Sequence, residues 1–279
     1  MRIVALVLVC WLQCSAQSGP VAAPDANETV KHLAGFSVVE LRRYSIKEGE
    51  CEHFARYFEA YFPEAMQQLG ALVAGEFLER GHSVFTWIRE FHNMDERAKA
   101  NALLYYGPVW KEHRTLMNSM ITDSDNVLLL RPLSPQKGVL VFPAVDPVRE
   151  EKGAQGIVVA QIFRIQPNQV EDFAKQMEPV FSRYRALGVR EAGVLVTLDA
   201  SNNFPQLPVR NDGPYLVWLG ITKSESLKDQ LAKVATQAAQ DDSIHKFLRG
   251  TPELLTLDPA PRSRLRWLPD NGSEAQGSR

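Results

Sequence analysis

Apolar residues along Glu50–Gly70 fall on one helical stripe. Cys51, Phe54, Ala55, Phe58, Tyr61, Phe62 and Ala65 recur at three- and four-residue steps, the pattern of a helix with one buried face. The stripe returns in the second half as Val170, Phe173, Ala174, Met177, Val180, Phe181 and Tyr184. Glu52 and Glu171, then Arg56 and Lys175, repeat on the polar side. Each helix runs into a Leu-Gly pair, Leu69-Gly70 and Leu187-Gly188, where Gly supplies the left-handed residue that ends a helix. A repeat this long is a duplicated small domain, since solenoid units are far shorter.

A strand precedes each helix. Phe36–Ile46 puts Phe36, Val38, Glu40, Arg42, Tyr44 and Ile46 on one face and Val39 and Leu41 on the other. Ile157–Ile165 is likewise apolar on both faces, so a sheet covered on both sides is expected. Ala71–Glu79 and Ser83–Phe91 read as hairpin arms joined through Arg80-Gly81-His82. Asp95 is placed to cap a helix Glu96–Tyr105, Pro108 opens a further helix through Trp110 and Leu116, and Val127–Leu130 forms a closing strand. The second copy has arms Arg190–Asp199 and Tyr215–Thr222 around a long loop, Ala200–Pro214, expected to serve as a rim and lid. Ser224 caps Leu227–Gln240, Asp242 opens Ile244–Leu248, and Arg264–Leu268 is the expected last strand. The order is βαββαβ twice, an α+β, ferredoxin-like arrangement. The expected domains are residues 35–133 and a more divergent 156–268, joined by a linker, 134–155, in which Val139–Phe142 adds an edge strand. A leader, 17–34, and a polar tail, 269–279, are expected to be disordered.

Composition narrows the function. The 279 residues are 45% hydrophobic, ample for a core, and the 31 basic residues nearly balance the 33 acidic ones. No field of that kind draws a protein to nucleic acid or an anionic membrane, so nucleic acid is not expected as a partner. Arg2, the apolar run Ile3–Leu12 and Cys14-Ser15-Ala16 predict a signal peptide, residues 1–16, cleaved after Ala16. Export to the periplasm or the extracellular space follows from it. The run has about half the ~20 apolar residues of a spanning helix, and no stable membrane span is expected. Cleavage leaves Cys51 as the one cysteine, so no internal disulfide is expected.

Several motifs then carry a resemblance. Val39-Glu40-Leu41-Arg42-Arg43-Tyr44, the helix start Glu50-Cys51-Glu52-His53-Phe54, Leu69-Gly70, Thr86-Trp87-Ile88-Arg89-Glu90-Phe91 followed by Asp95-Glu96-Arg97, and Pro108-Val109-Trp110 resemble the NIPSNAP domain. That family sits in the dimeric α/β-barrel superfamily, together with cofactor-independent antibiotic-biosynthesis monooxygenases and haem-degrading enzymes. The resemblance covers roughly Phe36–Leu133. The second half keeps the strand–helix start and has Trp218-Leu219 in place of Trp87-Ile88. The resemblance implies two tandem ferredoxin-like domains forming an intramolecular dimeric α/β-barrel, with any useful space enclosed by the pairing of the sheets. The chain would be a monomer with a pseudo-dimeric barrel, or a homodimer.

The common catalytic motifs are missing, with no Gly-x-Gly-x-x-Gly, Walker, His-Glu-x-x-His, Gly-x-Ser-x-Gly or Cys-x-x-Cys pattern. Six scattered histidines show no metal-ligand spacing, so neither a metal nor another cofactor is predicted. Glu40, Arg42 and Tyr44 share a strand face, where buried charges must pair or meet a ligand. Trp87 and Trp110 can fill a core or stack on a bound molecule. These five are the candidate ligand-binding residues. His113 and Tyr44 are the candidate catalytic residues: His113 lies on the element from which haem-degrading relatives present an iron ligand, although Lys111, Glu112 and Arg114 around it fit an exposed face. His53 reads as a solvated helix flank and Cys51 as a small buried hydrophobe. The expected function is an exported binding module for a small apolar or aromatic ligand or a protein partner. The alternative is a cofactor-independent monooxygenase or haem-degrading-type enzyme working in the cavity between helices and sheet, with Tyr44, Trp87, Arg42 and His113 as its candidates, and a structural scaffold is a third class.

Overall fold

The two duplicated stripes become long helices lying across the outer faces of two half-sheets. A computed structural model of the chain describes residues 35–268; the predicted signal peptide, leader and tail lie outside the described residues. The first half runs β1 (Val38–Ile46), α1 (Cys51–Tyr61), α2 (Pro63–Gln68), β2 (Leu72–Glu79), β3 (Val84–Phe91), α3 (Met94–Tyr105), α4 (Pro108–Met120) and β4 (Ile121–Pro132). The second runs β5 (Ile157–Arg164), α5 (Val170–Ala186), β6 (Arg190–Thr197), β7 (Tyr215–Thr222), α6 (Glu225–Ala239), α7 (Asp242–His245) and β8 (Glu253–Pro259). Gly70 and Gly188, the matched helix stops, adopt φ of 93° and 92°.

The strands close into one barrel in the order β1-β3-β2-β8-β5-β7-β6-β4. Within each half the order is fourth, first, third, second, and the halves join where β2 meets β8 and β4 meets β6. Both joins are antiparallel and related by the duplication. The expected fold class, tandem ferredoxin-like units forming an intramolecular α/β-barrel, is what the chain adopts. Even the irregularities repeat: β2 bulges between Val73 and Gly75 against β3, and β6 bulges between Glu191 and Gly193 against β7.

Three cores follow from the two-faced strands. Val39, Leu41, Phe77, Leu128, Val217 and Leu257 belong to a cluster that fills the barrel. A second core packs α5, α6 and α7 on the outer face of the second half, and a third packs α1 to α4 on the first. Buried side chains of the first cluster pack the barrel interior, and a cavity lies outside the sheet, between it and the helices, and not between the paired sheets as expected. Polar side chains link the halves: Arg43 donates to Glu79 at 2.6 and 2.9 Å and to Glu253 on β8 at 2.6 Å, while Thr86 donates to Glu79 at 2.6 Å.

Other local expectations change for identifiable reasons. Pro63 breaks the first long helix at Phe62, so the stripe shifts phase: Met66 is buried in place of Ala65, and Tyr61 is 45% exposed. Asn93, not Asp95, caps α3; its extended backbone lets the side chain accept from the Glu96 amide at 2.9 Å. Asp241, not Asp242, caps α7. Val139–Phe142 forms no strand; a 3-10 turn, Pro135–Lys137, leads into a stretch whose Val139 is buried in the barrel core. The last strand is β8, with Leu255 and Leu257 alternating inward, and not Arg264–Leu268. That later segment plugs the barrel end, with Leu265 in the core and the Arg266 guanidinium bound to Glu150 at 2.5 and 2.7 Å.

Because the halves share one interior, the barrel is expected to unfold as a unit. Leu257→Ala, at the join of β8 with β2, should cost about 2–5 kcal/mol, with urea transitions followed by tryptophan fluorescence and circular dichroism sharing one midpoint. Separate midpoints would show independent halves. Two buried carboxylic acids add a pH dependence. Glu76 is pushed up to about 8 by burial and the nearby Glu59, and Glu90, which follows Ile88 on the barrel face, is pushed up to about 8 by burial alone. A raised folded pKa gives stability that is complete below the unfolded value of ~4.3 and is lost as pH rises through the folded value. Melting temperature should fall from about pH 5 to about pH 8, and less steeply in Glu90→Gln; equal slopes would exclude Glu90 as a source.

Candidate functional site

β1 carries Glu40, Arg42 and Tyr44 on its outer face, under the helices, where Glu40 has no exposed surface. The register with β3 sets Glu40 opposite Arg89 and Arg42 opposite Trp87. α3 adds Arg97, one position of a buried face that continues through Ala100, Asn101 and Leu104. Glu40 is thus surrounded. It accepts from Arg42 Nη1 at 2.7 Å, Arg89 Nε at 2.6 Å and Arg97 Nε at 2.6 Å. Arg42 Nε donates to the Tyr44 hydroxyl at 2.9 Å, and the Trp87 ring lies between Arg42 and Arg89, whose Cζ atoms are 5.6 and 5.2 Å from its centroid.

The charges shape the titration of the group. Burial would raise the Glu40 carboxyl, but Arg89, Arg42 and Arg97 hold it well below the usual carboxylate range. Burial, with Arg89 and Arg42, outweighs Glu40 at Arg97 and draws that guanidinium below its ordinary value. Tyr44 is pushed up to about 12 by burial, against the pull of Arg42, so its hydroxyl stays protonated. Three guanidiniums face one carboxylate, and not every donor is used. Arg89 Nη2, Arg97 Nη2, Trp87 Nε1 and both side-chain polar atoms of Asn101 are buried without a hydrogen-bond partner among the described residues.

A cavity of about 280 Å³ lies beside this cluster, between the sheet and the helices of the first half. The sheet contributes Arg42, Tyr44 and Trp87; α1 and α2 contribute Phe58, Phe62 and Met66; α3 and α4 contribute Tyr105, Trp110 and Met117. Ser124 and Asp125 add polar groups from β4. The remaining wall comes from the second half, where Gln206, Leu207 and Pro208 of the β6–β7 loop reach across. That loop is fastened to the charge cluster: Arg97 Nη1 donates to the side-chain oxygens of Asn202 at 3.1 Å and Asn203 at 2.7 Å, and Asn203 donates to the Met94 carbonyl at 2.6 Å.

Arg42, Tyr44, Trp87 and Trp110 therefore meet on one cavity, with Glu40 behind Arg42 as its counter-charge and off the cavity wall. His113 does not join them. Its Nδ1 is 2.7 Å from the Tyr57 hydroxyl and its ring stacks on Tyr61 at 4.0 Å, so it faces the outer α1–α4 seam and is separated from Tyr44. His53 pairs with Glu50 at 2.9 Å on an exposed flank. Cys51 is only half-buried, and burial with Glu79 and Glu52 pushes its thiol up to about 11. Among the described residues no cluster of His, Cys, Asp or Glu could hold a metal ion, and no helix is long and apolar enough to cross a membrane. Arg97, Asn101 and Tyr105 were not foreseen as neighbours of the site; Arg89 is the one of the Arg89-Glu90 pair that strand alternation puts on the face of Trp87, and Arg97 carried a signal as a charge on the buried face of α3.

The second half lacks this chemistry. The register that sets Glu40 against Arg89 here sets Val159 against Gly220, and Gln161 replaces Arg42 opposite Trp218. A Cβ on Gly220 would stand 2.3 Å from Trp218 Cη2, so the Trp218 ring occupies the space over the glycine. Tyr184 donates to Gln161 at 2.9 Å, and Gln161 lines a cavity of about 310 Å³ beside α6 that has no arginine on its wall.

Residues 39–135 match the NIPSNAP family model. The match covers most of the first half of the chain and none of the second. No curated protein matches the chain. Among solved structures, an anthrone oxidase-like protein is 14% identical, covering 80% of this chain and 91% of its own, with a TM-score of 0.53. A provisionally named monooxygenase from Fusobacterium nucleatum subsp. nucleatum is 10% identical, with 81% and 93% covered and a TM-score of 0.52. At such identities the likeness is one of fold, and it extends over both halves. A NIPSNAP family protein of unknown function from Agrobacterium tumefaciens str. C58 is 23% identical over 36% of this chain and 94% of its own, with a TM-score of 0.33. The Glu40 cluster lies wholly inside the residues that match the NIPSNAP model. Replacing its carboxylate leaves three buried guanidiniums facing a neutral amide, so Glu40→Gln should lose about 3–5 kcal/mol of stability by urea denaturation. A loss below about 1 kcal/mol would show that the cluster is solvated.

Proposed function

We propose that this chain is an exported NIPSNAP-domain protein that binds a small aromatic or apolar molecule in the cavity of its first half. The observation that carries this reading is the composition of the cavity: aromatic and thioether side chains on most sides, a few polar groups on one, and a loop from the second half across it. Binding sites for small molecules have that make-up, and about 280 Å³ lies at the lower edge of the usual ~300–1,000 Å³, which suits a compact ligand. Export rests on the Arg2–Ala16 pattern.

A catalytic role has less support. Oxidation without a cofactor needs a base near the substrate, yet Tyr44 stays protonated and His113 is turned to Tyr57, which leaves Asp125, on the exposed side of the cavity, as the carboxylate on its wall. Haem does not fit the residues present either, because His113 is off the cavity wall, stacked on Tyr61 and edge-on to Tyr57. The names borne by proteins of similar fold, monooxygenase and anthrone oxidase-like, leave the alternative open to an activity assay on phenolic substrates.

Native mass spectrometry of protein taken from its own host should show a retained small molecule. In vitro, the neutral fluorophore N-phenylnaphthylamine should bind the full chain. Met117→Trp, which fills the cavity, should weaken that binding at least about tenfold without lowering the melting temperature. Unchanged binding by Met117→Trp, with no molecule retained from the host, would refute the reading.

A further inference from the structure

The cavity and the charge cluster touch at one residue, Arg42. Its Nε and Nη1 are engaged by Tyr44 and Glu40, leaving Nη2 without a protein acceptor among the described residues. Behind it, Arg89 and Arg97 are fully buried and share the same carboxylate, so three positive groups surround one negative group. Among the described residues no other acid forms an ion pair with them. Glu90 follows Arg89 in sequence but lies on the opposite face of β3, and Asp125 sits on the exposed side of the cavity. Asn202 and Asn203 offer only neutral carbonyl oxygens to Arg97. Burying two excess guanidiniums costs several kcal/mol each unless an anion meets them. Trp87 Nε1, a donor without a hydrogen-bond partner among the described residues, belongs to the cavity wall beside Arg42, whereas Arg89 and Arg97 stand behind that wall and add only their charge.

We propose that the ligand of this cavity is an anion: a compact aromatic carboxylic acid whose carboxylate lies on Arg42 and whose ring lies among Phe58, Phe62 and Trp110. The inference rests on the binding reading above and adds the charge of the ligand to it. Arg42 is the residue that specifies the acid. Arg89 and Arg97 act through the shared Glu40 and keep the local potential positive, with Trp87 between Arg42 and Arg89. The second half, with Val159, Gln161 and Gly220 in the matching places, has no counterpart and is expected to take no acid.

The test uses pairs of equal shape. Benzoate and cinnamate are titrated calorimetrically into the full chain beside benzamide and cinnamamide. Each acid should bind at least about tenfold more tightly than its amide, the size of a charge-assisted hydrogen bond, and should raise the melting temperature further at equal concentration. Arg42→Met should abolish the preference while keeping the affinity for the amides. Since Arg42 is buried and that variant can fail to fold, Asn101→Asp serves as a second. It places a carboxylate one turn from Arg97 on α3, and it should reduce the preference for acids without loss of stability. Equal binding of acid and amide overturns the inference and leaves the binding reading standing, as does failure of both when N-phenylnaphthylamine still binds. Failure of all three probes removes both.

Discussion

A half-sheet with two apolar faces cannot stand alone, and this constraint governs the molecule. Helices cover one face of each βαββαβ unit; the other face, with Val39 and Leu41 in the first half and Val217 and Leu219 in the second, needs a partner of the same kind. Joining β2 to β8 and β4 to β6 supplies that partner and removes every open strand edge at once. The Arg43–Glu79–Glu253 bridge ties β1 and β2 of the first half to β8 of the second. With the interior closed and packed, the room left for a small molecule lies outside the sheet, beneath the helices.

That outer layer is where the halves part company. In the second half it carries no buried charge cluster: Trp218 lies over Gly220, Tyr184 is satisfied by Gln161, and the cavity beside Gln161 has no arginine on its wall. In the first, three arginines are kept from water by the same architecture, supported by one carboxylate, two asparagine oxygens and the face of an indole. A cluster of that kind does not arise from packing alone, since apolar residues of similar volume would fill the space at lower cost. Its presence in one copy and absence from the other separates a chemical demand from a structural one.

Much of the fold was legible because the signals were periodic. The two helical stripes, the Leu-Gly stops, the two-faced strands and the Trp87 and Trp218 positions all survive in the structure. What was missed depended on contacts between distant residues. Leu255 and Leu257 form β8 because β2 and β5 lie on either side, and nothing local distinguishes them from Leu265 and Trp267. The site divides the same way. Glu40, Arg42 and Tyr44 could be grouped from their alternation on one strand, but Arg89 joins them through sheet register and Arg97 through the docking of α3. His113 looked promising by its neighbours in sequence and fails because Tyr57 and Tyr61 engage its ring from another helix.

The loop between β6 and β7 has a further consequence. Asn202 and Asn203 grip Arg97 while Gln206 to Pro208 complete the cavity, so one copy of the duplicated unit furnishes the door and the other the room. Two identical subunits would have to carry the same door and the same room, each alteration appearing twice. Within a single polypeptide the door can be lengthened, stiffened or re-shaped by changes confined to residues 200–214, leaving the walls untouched.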